Sequence, residues 1–124
     1  PDGGSANDDW LVSHRADESN YHTVSIAADG SYTWQIIQAS GSFAIWSTTG
    51  LSTDNVWQHV AFVRSGDNYY IFVDGVDRTN SGSPNSTTVV SINGTLYIAF
   101  LGHGTEEVNG YIDEVRISDT ARWT

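Results

Sequence analysis

Trp57-Gln58-His59-Val60-Ala61-Phe62-Val63-Arg64, a short turn, and then Tyr69-Tyr70-Ile71-Phe72-Val73-Asp74-Gly75 form the stretch on which the fold turns. β-Branched and aromatic residues dominate both runs, and side chains along a strand alternate between two directions. In the first run Trp57, His59, Ala61 and Val63 point one way while Gln58, Val60, Phe62 and Arg64 point the other. Apolar groups therefore occupy both faces, the pattern of a central strand. Tyr69, Ile71 and Val73 alternate with Tyr70, Phe72 and Asp74 in the same manner, and Trp57 offers a large buried anchor. The pair Asp74-Gly75 tolerates the positive φ of a tight reversal.

The same signal recurs outward in both directions. Strands are predicted over residues 10–15, 21–27, 32–37, 43–47, 57–64, 69–74, 88–92, 95–101 and 110–118, with no helix. Asp29-Gly30, Asn93-Gly94 and Asn109-Gly110 add turn chemistry between them, so several of these runs are antiparallel neighbours. Leu96, Ile98 and Phe100 alternate with Tyr97, Ala99 and Leu101. An all-β, antiparallel two-sheet sandwich accounts for these patterns, because stacked sheets need apolar inner faces about 10 Å apart. A small closed barrel is the less economical alternative. Residues 47–56 and 78–87 read as long polar loops, residues 1–8 as a flexible N-terminal segment, and 9–124 as one domain.

A chain of 124 residues fits one core. Fifteen acidic residues stand against five Arg and no Lys, for a formal net charge of −10. Five scattered arginines cannot build a phosphate footprint, so nucleic acid is excluded as a partner, and anionic membrane surfaces are repelled. The acid excess supplies ligands for hard cations or simply solvates the surface. With no cysteine there are no disulfides, thiolate metal sites or cysteine nucleophiles. No apolar run approaches the roughly 20 residues of a membrane helix.

Two stretches together carry a resemblance to a known family. Trp57-Gln58-His59-Val60-Ala61 followed by Tyr70-Ile71-Phe72-Val73-Asp74-Gly75 resembles the paired strands of laminin G-like, concanavalin A-like jelly rolls and their pentraxin relatives. Gly110-Tyr111-Ile112-Asp113-Glu114-Val115-Arg116-Ile117 resembles their closing strand, and Leu96 to Gly102 stands where they carry a Leu-x-Ile-Gly strand. The match runs from Trp10 to Trp123, with the family's opening strands not visible before Trp10. Either the chain is a fragment or variant, or a neighbour supplies those strands. An incomplete sandwich leaves unpaired backbone that invites strand addition, so an oligomer or a larger parent protein is expected as readily as a compact monomer.

The resemblance implies a non-catalytic recognition module, secreted or displayed on a cell or virus surface, that binds a glycan or glycoprotein. Trp34, Trp46 and Tyr97 are the candidates for stacking on sugar, each placed opposite the better-packed side of its strand. Calcium is the cofactor implied: Asp17, Glu18 and Asn20 fall where pentraxin-like members carry a calcium loop, and Glu106 and Glu107 where those members carry further carboxylates. A structural or assembly domain of a virion appendage or surface adhesin, completed by another chain, is the second reading. A glycosidase is the third and weakest, because no Glu-x-Asp-x-x-Glu triplet occurs and Asp113 and Glu114, as sequence neighbours, point to opposite faces. His14, His22, His59 and His103 come with no nucleophile-elbow motif. Asn85-Ser86-Thr87 and Asn93-Gly94-Thr95 match the glycosylation acceptor pattern, which has meaning only in a eukaryotic secreted protein.

Overall fold

The structure, a computed structural model, describes residues 8–81, 88–102 and 108–122. Among them nine strands occur and no helix: β1 (Asp9–Asp17), β2 (Asn20–Ile26), β3 (Tyr32–Ile37), β4 (Phe43–Ser47), β5 (Val60–Ser65), β6 (Asn68–Val73), β7 (Val76–Asp77), β8 (Thr79–Ser81) and β9 (Thr95–Ile98). They form an antiparallel sandwich of a six-stranded sheet, ordered β8-β4-β3-β2-β1-β9, and a three-stranded sheet, ordered β5-β6-β7.

Residues directly opposed on antiparallel neighbours share a face, so the register sorts the larger sheet into rows. Ile98, Val12, Val24, Trp34 and Ile45 form one inner row, and Leu96, His14, His22, Ile36 and Phe43 form the next. On the opposite face lie Tyr97, Ser13, Thr23, Gln35 and Ala44, followed by Ser25, Thr33 and Trp46. Tyr32, Ile36 and Ile45 meet Tyr69, Ile71 and Val73 of the smaller sheet in the buried core. Sequestering each of Ile36, Ile45 and Ile71 contributes about 1.5–3 kcal/mol. Trp34 stands edge-on to Tyr69 at 5.1 Å and to Phe62 at 6.2 Å between ring centroids, which locks the two layers together.

The turns follow the sequence at two of the four predicted pairs. Asp74 and Gly75 both take positive φ (51° and 78°), closing the β6–β7 reversal. Gly30 does so at 76°, with Asp29 Oδ1 accepting from the Ser31 amide at 2.9 Å and the Ser31 hydroxyl at 2.6 Å. Gly94 is needed for another reason: a Cβ there would collide with the backbone carbonyl of Arg15. Neither Gly94 nor Gly110 has a left-handed φ.

Several expectations need correction. Trp57 is 69% exposed, not a buried anchor, because the ladder ends where the His59 carbonyl accepts from the Asp74 amide at 2.8 Å and the chain beyond turns away at Gly75. Among the described residues no strand lies opposite 57–59, so β5 begins at Val60, and it is an edge strand rather than a central one. Residues 88–92 form no strand; the buried Gln38 side chain holds them instead, donating to the Thr88 carbonyl at 2.8 Å and accepting from the Val90 amide at 3.1 Å. Residues 110–118 likewise form no strand. The loop predicted from residue 78 opens with β8, which is drawn into the larger sheet by pairing with Trp46 and Ser47.

Candidate functional site

The outer face of the six-stranded sheet carries the chemistry a polar ligand needs. Period-2 alternation along β4 buries Ile45 inward and turns Trp46 outward, where its indole is 42% exposed. The same alternation on β3 sends Tyr32, Trp34 and Ile36 inward, leaving Thr33 and Gln35 on Trp46's face. Thr33 sits directly across from Trp46, and Gln35 across from Ala44, so the space beside the indole is kept low by a methyl group. Ser13, Thr23 and Ser25 continue that face toward β1, but they are buried, so the part open to a ligand is the end around Trp46, Thr33 and Gln35.

Tyr97 bounds this face at its far end. It lies on β9, four strand spacings or roughly 19 Å from β4. Its ring packs edge-on against Phe100 at 5.6 Å, and the backbone of Gly102, at φ 99°, closes over it so that Tyr97 is half-buried. Trp34 is placed differently from the expectation: it shares the inner face with Tyr32 and Ile36, the better-packed side of β3, where it contacts Phe62 and Tyr69. Of the three aromatic candidates, the structure therefore brings Trp46 and Tyr97 to one face and sends Trp34 to the other. Thr33 and Gln35 were missed in the sequence, although parity alone, one residue either side of the inward Trp34, places them outward.

The acidic turn between β1 and β2 is satisfied from within. Asp17 Oδ1 accepts from the Ser19 amide at 2.7 Å, and Asn20 Nδ2 donates to both carboxylate oxygens at 3.1 and 3.2 Å. The Ser19 amide, then the Asn20 side chain, hold the Asp17 carboxyl below its usual range. Glu18 pairs with Arg15. Glu106 and Glu107 lie outside the described residues, and among the described residues no three carboxylate or histidine side chains gather as a metal cage. The turn alone thus fits calcium poorly; a cage would need the carboxylates of residues 106 and 107.

Nor do the histidines converge on a catalytic group. His14 and His22 are paired on the inner face, with His14 Nε2 donating to the Gly94 carbonyl at 3.2 Å. Burial, and then the positive charge of His14, push His22 below its ordinary range. His59 is exposed at the start of β5, its amide donating to Asp74 Oδ1 at 2.9 Å, and His103 lies outside the described residues.

An all-β sandwich with a polar, aromatic-bearing sheet face is the architecture of a carbohydrate-binding type of module. The chain belongs to the Laminin_G_3 family, described as the Concanavalin A-like lectin/glucanases superfamily, whose model matches residues 1–123. That family is generally non-catalytic. No curated protein and no solved structure matched the chain significantly.

Proposed function

We propose that this domain recognises glycan on the outer face of its larger sheet, with Trp46 as the stacking platform and Gln35 and Thr33 as the hydrogen-bonding groups beside it. The observation that carries the reading is the exposed indole of Trp46 on a sheet whose other side supplies the core. A sugar ring offers an apolar C–H face and a rim of hydroxyls. An aromatic plane takes the first, and amide or hydroxyl side chains take the second. Acidic charge over the protein discourages sulfated or phosphorylated polymers and favours neutral ones.

A glycan array followed by titration with the best-binding neutral oligosaccharide tests this. Trp46→Ala is expected to weaken binding by about tenfold or more, roughly 1.4 kcal/mol, with the sheet fold retained by circular dichroism. Silence on the array, or equal affinity in the variant, overturns the reading. The calcium-assisted form of it rests on Asp17, Glu18 and Asn20 together with Glu106 and Glu107. It predicts a rise in melting temperature on adding calcium that EDTA reverses and Asp17→Asn abolishes. An unchanged melting curve removes calcium and leaves recognition to the sheet face.

A further inference from the structure

His14 and His22 stand side by side on the face of the larger sheet opposite to Trp46. They are direct partners in the β1–β2 register, so their Cβ atoms lie about 4.5–5.5 Å apart and both rings leave the sheet in the same direction. The row they belong to is otherwise apolar, with Leu96 beyond His14 on β9 and Ile36 beyond His22 on β3. Aliphatic side chains would serve packing better there, since a buried polar group that nothing meets costs about 1–3 kcal/mol.

One ring nitrogen is in that position. His22 Nε2 is shut off from solvent and has no hydrogen-bond partner among the described residues. Buried polar atoms left in this way mark a place where water or an ion belongs. Burial also pushes the His22 pKa below its ordinary value, so the ring is neutral at neutral pH and keeps a lone pair for a cation. His14 is arranged to complement it. Its Nε2 donates to the Gly94 carbonyl at 3.2 Å, which in the neutral ring leaves Nδ1 as the acceptor. Histidines that bind metals are oriented by the same device, the other ring nitrogen donating to a backbone carbonyl. That carbonyl is itself held in place, because Gly94 packs so closely on the Arg15 backbone that no Cβ would fit.

Both imidazoles line a cavity of about 440 Å³, walled on its other sides by Val12, Val24, Trp34 and Phe62. The space is many times the roughly 30 Å³ share of one water, so an ion and its water ligands fit beside the rings. Fifteen acidic residues against five Arg give the protein a negative field that concentrates cations around it.

The geometry points to His14 and His22 as a two-imidazole site for a late first-row divalent ion such as zinc. Imidazole nitrogen suits zinc, nickel and copper, whereas calcium and magnesium take oxygen. Two of the four zinc ligands come from the sheet and the others from water in the cavity. Among the described residues no third histidine or carboxylate joins the pair, so the ion is exchangeable rather than structural, and its open positions can accept a donor atom from an incoming ligand. The pair lies on the opposite face from the proposed glycan platform, so zinc binding and sugar binding stand or fall separately.

Zinc chloride titrated into the intact chain at neutral pH, followed through the imidazole nitrogens by NMR, tests the assignment. The rings of His14 and His22 are expected to shift together with a single midpoint, and magnesium chloride at the same concentrations is expected to move neither. His14→Gln keeps an N–H for the Gly94 carbonyl but removes the ring's lone pair. It is expected to weaken zinc binding by about tenfold or more, because the second ligand no longer meets an ion already held beside it, with the strand signal retained in circular dichroism. If that variant loses its fold, the titration of the parent chain decides alone. A shift in one ring only, no shift in either at millimolar zinc, an equal response to magnesium, or unchanged zinc affinity in a folded His14→Gln protein overturns the proposal and leaves the cavity to water.

Discussion

Gln38 shows how one polar side chain substitutes for a strand. It is buried at the end of β3, and its amide presents a donor and an acceptor to residues 88–90 in the spacing a neighbouring backbone would offer. Its own backbone amide donates to Ser42 Oγ at 3.2 Å, which fixes the β3–β4 turn at the same point. Removing the amide leaves the partly exposed Thr88 carbonyl and Val90 amide to water, and a typical intramolecular hydrogen bond is worth about 0.5–1.5 kcal/mol net. Gln38→Ala is therefore expected to destabilise the domain by about 1–2 kcal/mol in urea, the net worth of two such bonds, with Gln38→Glu recovering little because it supplies no donor. A loss below 0.5 kcal/mol, roughly that of a surface change, would show that residues 88–90 hold their place without it. No pattern in the sequence marks Gln38, since its partners lie some fifty residues away and the bonds run through a side chain.

At the scale of elements, what was legible is what local physics determines. β1 to β4 and β6 fall within two residues of their predicted bounds, because strict alternation and turn residues such as Asp29-Gly30 and Asp74-Gly75 act within a few residues of each other. The exposed face of the site followed from the same rule for Trp46 and Tyr97. Trp34 did not, because deciding which parity faces the core requires knowing that Tyr69 and Phe62 lie opposite it on another sheet. Where a ladder stops is also a tertiary matter. Residues 57–59 have as much strand propensity as residues 60–64, but β6 turns back at Asp74 and leaves them unmatched. The segment 110–118 is the sharpest case: its composition is that of a strand, yet it forms none, because a strand needs a partner backbone that no local pattern supplies.

Across the whole molecule, the inner face of the larger sheet combines apolar packing with two facing imidazoles, and this couples folding to pH. Burial first, then the charge of His14, hold the folded-state pKa of His22 below its ordinary 6.5. The unfolded chain therefore takes up the proton more readily than the folded one, so stability is full above about pH 6.5 and falls as the pH drops from there through the folded-state value. Asp17 and Asp29 act in a separate window: hydrogen bonds from Ser19 and Ser31 hold their carboxyls below 3.8, so that what they contribute is lost only as the pH falls below that value. Denaturant midpoints measured from pH 8 to pH 3 should thus decline in two stages. Replacing the imidazole by a ring of similar shape, His22→Phe, should remove the upper stage and keep the lower one. If the upper stage survives in that variant, the buried imidazole is not its source, and the coupling between the unequal sheets and acid must lie elsewhere.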